Sequence, residues 1–195
     1  MKAYVRRSLL IIAFAVIFVL LLFRSTQGAN EISVSQSSVP PSQILGKASP
    51  GLPVRLMIPV INVNANIQHL GVAPNGEMEV SSNAVDVGWF KLGSRPGEKG
   101  SAVVSGHVDG KNGEAGVFTN LYKLKKGDKL YVKDDKGTSI VFVVRESRTY
   151  DPGYADDVFS RSDSAHLNLI TCDGLWDGAK KSYSKRLVVF ADIAQ

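Results

Sequence analysis

The sequence has one cysteine, so no internal disulfide can form. It has no acidic residue before Glu31, although Lys2, Arg6, Arg7 and Arg24 all fall in that stretch. Of the 23 lysines and arginines these are four, which leaves 19 basic residues against 18 acidic ones in the rest of the chain. The formal charge of +5 therefore belongs mainly to the N-terminus. A nearly neutral body lacks the basic footprint that nucleic-acid binding requires, so nucleic acid is excluded as a partner. The scattered Asp and Glu form no calcium-loop pattern, and no internal repeat is apparent.

Long apolar runs are also scarce, with one exception. Leu9 to Phe23 is an unbroken stretch of fifteen apolar residues between Arg7 and Arg24. As a helix it rises about 22 Å at 1.5 Å per residue. That is short of a hydrocarbon layer of about 30 Å, but snorkelling arginines extend it. The run has no clear Ala-x-Ala cleavage site, and it reads as a transmembrane signal anchor rather than a removed leader. Basic residues ahead of it favour a cytoplasmic N-terminus (1–8), an anchor (9–23) and everything beyond on the outside. Extracytoplasmic proteins normally pair their thiols, so the free Cys172 calls for a reason.

Residues 24–53, rich in Ser, Gln, Pro and Gly, read as a flexible linker. From Val54 to the C-terminus (54–195) the pattern is that of a mostly β domain. Strands are expected at Arg55–Val60, Ile67–Val72, Ser101–Gly106, Lys129–Val132, Ile140–Arg145, Leu167–Cys172 and Leu187–Ile193. Turn signals such as Pro74-Asn75-Gly76 and Asp135-Lys136-Gly137 separate them. Val117, Leu121 and Leu124 follow helical spacing up to Gly127, which predicts a short helix. Periodicity alone leaves a closed barrel and a sandwich both open.

Cys172 closes the run Leu167-Asn168-Leu169-Ile170-Thr171 ahead of Asp173-Gly174, which places the thiol where a buried strand ends in a turn. A thiol with an ordinary pKa near 8.5 is ionised by only a few per cent at neutral pH, so a cysteine nucleophile needs a base or a positive charge beside it. Of the three histidines, His107 stands where the apolar run Val103-Val104 opens into a glycine-bounded loop. His69 and His166 lie in predicted strands and read as ordinary packed or surface histidines. Acyl transfer also concentrates negative charge on a carbonyl oxygen. Arg186 shares the alternation parity of Val188 and Phe190 and can supply the opposing charge.

These residues and their surroundings resemble the sortases, most closely those of classes E and F. The resemblance rests on Leu56-Met57-Ile58-Pro59-Val60, Val87-Gly88-Trp89-Phe90, Arg95-Pro96-Gly97-Glu98-Lys99-Gly100, Ser105-Gly106-His107-Val108-Asp109 and Leu169-Ile170-Thr171-Cys172, with Arg186 ahead of a terminal strand. It spans about Pro53 to Ile193. It implies an eight-stranded sortase-type β-barrel with short helices behind the N-terminal transmembrane helix. It also implies that Cys172 is a nucleophile, His107 its acid/base and Arg186 the group that holds substrate and oxyanion. No cofactor or metal is implied. The family usually has threonine where this chain has Asn168, a departure that touches packing near the strand but removes no catalytic group.

The implied reaction is transpeptidation at a Leu-Pro-x-Thr-Gly type sorting signal of a secreted surface protein, with a cell-wall precursor or pilin amine as acceptor. Thr171 precedes the nucleophile, Tyr154, Val158 and Phe159 lie where related enzymes bind the sorting peptide, and Trp176 borders the entrance to the nucleophile; these are the candidate substrate contacts. Trp89 beside Gly88 reads as core. The competing reading is a catalytically silent extracellular binding or adhesion module on the same barrel. A peptidoglycan L,D-transpeptidase fits poorly, because His166 lacks the Ser-His-Gly-Cys surroundings of that family.

Overall fold

Short runs of alternating Val, Ile and Leu cannot bury both faces alone, and here eight of them close on one another. The computed structural model describes residues 49–153 and 156–195. The expected anchor Leu9–Phe23, most of the expected linker, and Tyr154 lie outside the described residues. Among the described residues no helix is long and apolar enough to cross a membrane.

The strands are β1 (Pro53–Ile58), β2 (Val63–Leu70), β3 (Val87–Phe90), β4 (Gly100–Ser105), β5 (Lys129–Asp134), β6 (Ser139–Tyr150), β7 (Ala165–Asp177) and β8 (Ser182–Ile193). They form a closed barrel in the order β1-β2-β3-β4-β7-β8-β6-β5, which leaves no free edge. The β2–β3 and β4–β7 pairs are parallel, and the other pairs are antiparallel. Inward side chains such as Leu56, Val104, Leu130, Phe142, Leu169 and Val189 fill the interior. Trp89 joins them, as its sequence context predicts, with its indole N–H donating to the Ser94 carbonyl at 3.1 Å.

A second apolar layer lies on the outer face of β4, β7 and β8. Val103, Val188 and Phe190 pack there against Val158 of the single-turn helix α1 (Asp156–Phe159). The segment between β6 and β7 thus folds back over the barrel wall.

Three sequence expectations need correction. A strand at Val87–Phe90 was not expected, because its four residues include Gly88; yet that glycine lets the backbone pass where a Cβ would overlap Leu70. The helix expected through Val117–Leu124 is only a 3₁₀ turn at Leu121–Lys123. Its upstream N–H groups are committed elsewhere, Val117 to the Ala84 carbonyl at 2.7 Å and Phe118 to the His107 carbonyl at 2.9 Å. β7 also runs past Cys172 to Asp177, with a register shift between Asp173 and Trp176. Gly174 sits at φ +77° in that bulge, and the Leu175 N–H donates to Ser184 Oγ at 2.9 Å.

The chain is fastened to the barrel from Ser49 onward, ahead of the expected boundary at Val54. Asp134, 2% exposed, accepts from the N–H groups of Gly51 (2.9 Å), Lys136 (3.0 Å) and Thr138 (2.7 Å). Burial pushes its carboxyl up, but the three donors together outweigh burial and hold it below its ordinary 3.8. A carboxyl depressed in the folded state contributes stability that is complete above about pH 4 and is lost as the pH falls through the folded value. Asp134→Asn is therefore expected to lower Tm at neutral pH, with the gap to the parent narrowing below about pH 4. Thermal melts across that range check this; a gap independent of pH would contradict it.

Candidate active site

Side chains on a strand alternate between faces, so the rows that cross β4, β7 and β8 are set by register. Val103 pairs with Asn168, and Asn168 with Phe190. Ser105 pairs with Ile170, and Ile170 with Val188. Two residues further on, Cys172 pairs with Arg186. The parallel β4–β7 register, continued past Gly106, brings His107 to the same row. His107, two residues past the end of β4, thus falls in line with Cys172 within β7 and Arg186 within β8 on the outer face, where neighbouring strands are spaced about 4.8 Å apart.

The junction at His107 is tightly held. The Gly106 N–H donates to the Ile170 carbonyl at 3.1 Å, and the Thr171 hydroxyl donates to the Gly106 carbonyl at 2.8 Å. Thr171 is 4% exposed, so its hydroxyl ties the two strands beside the thiol. A Cβ on Gly116 would overlap the His107 carbonyl, so only glycine permits the loop to close this tightly. The His107 ring lies with Nε2 2.9 Å from the Ser81 carbonyl oxygen. A carbonyl only accepts, so Nε2 carries the hydrogen and the neutral ring keeps its lone pair on Nδ1.

Ser81 is itself fixed: its hydroxyl lies 3.0 Å from the Asp86 carbonyl. The Asp86 carboxylate accepts from Asn83 at 2.8 Å and from Gln68 and Asn66 at 3.2 Å. These amides, Asn83 foremost, hold the Asp86 carboxyl below its ordinary range.

Cys172 is partly buried, and burial pushes its thiol up; the Arg186 charge pulls it down, and the Asp109 charge pushes it up again. Arg186 folds back along the β7–β8 hairpin. Its Nη1 donates to the carbonyls of Tyr183 (3.0 Å) and Lys185 (2.9 Å), and its Nη2 to Ser182 Oγ (3.3 Å). The Tyr183 hydroxyl donates to Asp109 at 2.5 Å, and this bond is the main reason its phenol is pushed up to about 12.

The remaining sequence candidates separate by position. Val158 is fully buried in the outer layer, where it supports the segment and offers no surface. Phe159 is 41% exposed and lies edge-on to Phe90, with centroids 5.5 Å apart. Trp176 is 56% exposed and packs edge-on to Tyr183 at 5.2 Å on the hairpin beyond Cys172. His69 stands apart, with Nε2 2.8 Å from the Pro53 carbonyl and its ring edge-on to Trp89. His166 is buried between Asp163 and Asp192, each at 2.7 Å, near the start of β7 and six residues before Cys172. Among the described residues no His, Cys, Asp and Glu cluster could hold a metal ion.

Sequence reasoning gave no role to Ser81, Asp109, Tyr183 or Asn168. Asp109 carried a faint signal, two residues beyond His107 in the motif already singled out. Asn168 stood out only as a departure from the family pattern. Its buried amide donates to the Val158 carbonyl at 2.6 Å and pins α1 to β7.

The Sortase domain family model matches residues 56–194. Sortase C-1 from Actinomyces oris is 26% identical over 76% of this chain and 75% of that one, with a TM-score of 0.59. Streptococcus agalactiae sortase C1, solved in complex with MTSET, is 25% identical over 73% and 67% of the two chains, with a TM-score of 0.58. Sortase C from Clostridium perfringens SM101, 23% identical over 75% and 72%, has a TM-score of 0.56 and shares the fold. No curated protein matches the chain.

Asn168→Ala leaves the Val158 carbonyl without its donor inside the outer layer. The expected cost is about 1–3 kcal/mol in denaturant unfolding, together with faster proteolytic nicking between residues 151 and 164. Unchanged nicking would show that α1 is held by apolar packing alone.

Proposed function

The chain belongs to the sortase family of cysteine transpeptidases, and we propose that it cuts a Leu-Pro-x-Thr-Gly type sorting signal through a thioester on Cys172. The observation that supports this reading is the row His107, Cys172, Arg186 at the rim of the barrel. The Cys172 thiolate attacks the carbonyl carbon of the threonine-glycine bond, and the developing oxyanion draws on the Arg186 guanidinium. His107, having taken the thiol proton on Nδ1, gives it to the departing glycine amine as the threonine-glycine C–N bond breaks, which leaves the acyl group on sulfur. It then accepts a proton from the amine that resolves the thioester. Nδ1 is the nitrogen suited to both transfers, since Nε2 is occupied by Ser81.

The outer layer provides a surface for the peptide. Phe159 and Phe90 present apolar edges on the side of β4 and β7 reached by α1, which suits the leucine and proline of a sorting signal. The acceptor is an amino group of a cell-wall precursor or of a pilin. Leu9–Phe23 serves as the anchor, with the N-terminus cytoplasmic and the barrel outside, where both substrates are found.

The test is incubation of the full chain in detergent with a quenched Leu-Pro-x-Thr-Gly peptide. Cleavage is expected, with no product and no thioester in Cys172→Ala and with activity retained in His69→Ala. His107→Ala should lose on the order of 10²- to 10⁴-fold, and Arg186→Ala on the order of 10²- to 10³-fold. A folded parent that yields neither cleavage nor a mass-shifted acyl-enzyme with this or related signals is instead the silent binding module.

A further inference from the structure

Tyr183 contacts both charged neighbours of the nucleophile with two different groups. Its hydroxyl donates to the carboxylate of Asp109, and its carbonyl accepts from Arg186 Nη1. The two partners carry opposite charge, and both act on the Cys172 thiol. A carboxylate and a guanidinium held by the same tyrosine, one of them on the residue paired with Cys172, attract each other and favour an ion pair. Arg186 instead spends its contacts on Tyr183, Lys185 and Ser182, and among the described residues no salt bridge joins it to a carboxylate within 4.0 Å.

We propose that Tyr183 is a positioning residue of the acyl-transfer site: its phenol captures Asp109, two residues beyond His107, and so keeps the Arg186 guanidinium free for the substrate oxyanion. The proposal rests on the reaction assigned above, but its geometry is independent of the peptide cleaved. Asp109 sits in a bridge with Ala115, so its backbone is fixed and only its side chain is free to turn. The Tyr183 ring is steadied in turn by Trp176. The hairpin that projects past Cys172 therefore has a task at the reaction centre as well as at its entrance.

The charged and titratable groups around the thiol come from three directions. Arg186, Tyr183 and Lys185 lie on β8, and the Lys185 ammonium is paired with Asp151 at 2.5 Å. His107 and Asp109 lie on the segment after β4, and Asp173 follows on β7 itself. Of the charges, Arg186 favours the thiolate and Asp109 opposes it. Without the phenol hydroxyl, Asp109 is expected to turn to Arg186 and neutralise it.

The experiment compares the full chain with Tyr183→Phe, Asp109→Asn and the double variant. Tyr183→Phe keeps the ring against Trp176, and thermal melts report whether each variant folds. It is expected to lower kcat for peptide cleavage about 10- to 100-fold with little change in KM. The double variant is expected to recover most of that loss, because an asparagine cannot neutralise Arg186. A purely structural tyrosine would give losses that add. Alkylation of Cys172 by iodoacetamide as a function of pH is the second readout and needs no peptide turnover. Its profile should move to higher pH in Tyr183→Phe and to lower pH in Asp109→Asn. Full activity in Tyr183→Phe, or a double variant as poor as the single, overturns the proposal. If the parent cleaves no peptide, the assigned reaction fails, while opposite shifts of the two alkylation profiles still support the Tyr183 role and coincident profiles reject it.

Discussion

The register of β7, clamped between parallel β4 and antiparallel β8, is the constraint on which the rest of the structure depends. With side chains alternating at period two, a slip of one residue would turn Cys172 into the barrel and Thr171 out to solvent. Burial on both faces resists that slip. Leu167 and Leu169 lie in the interior, while Asn168 and Ile170 lie against the outer layer. A fully buried aliphatic side chain contributes about 1.5–3 kcal/mol, so a shifted register forfeits several such contributions at once. The position of the thiol is thus a consequence of packing along the whole strand.

The two faces divide the work. The interior row closes the barrel and carries no chemistry, and the outer row runs from the layer under α1 to His107, Cys172 and Arg186. A wall buried on both sides bends little, so groups mounted on it keep their spacing. Asn168 links the two parts through its bond to Val158, which couples the placement of α1 to the strand that carries Cys172. The substitution that set this chain apart from its family pattern is therefore a fastening of the segment expected to meet the peptide.

Much of this was legible in the sequence because it follows from local pattern. Alternation in Leu167–Cys172 and Leu187–Ile193 located the central strands, and the shared parity of Arg186, Val188 and Phe190 matched the outer row. Closure into a barrel came from family resemblance, since alternation does not say which strands pair. β3 escaped notice because four residues around a glycine carry too little pattern. The extension of β7 was hidden by Asp173-Gly174, a turn signal that the structure uses for a bulge. Contacts made across long sequence separations were out of reach. Ser81 meets His107 across 26 residues, and Asp109 meets Tyr183 across 74. Neither pair leaves a period or a spacing to read.

The electrostatics at the rim follow from how each charge is satisfied. Burial favours the neutral thiol, so the site begins with the proposed nucleophile, Cys172, in the less reactive form. Arg186 opposes this, and its effect depends on its remaining a cation without an anionic partner. Hydrogen bonds from carbonyl oxygens and a hydroxyl fix a guanidinium in place without cancelling its charge, whereas a carboxylate would fix it and cancel it. Three of its five N–H donors are used in this way, which leaves others for a developing oxyanion. Asp109 has the opposite need, a donor that satisfies its carboxylate without being a cation, and the Tyr183 phenol meets it. Two opposite charges can therefore stand near one sulfur without collapsing into a pair.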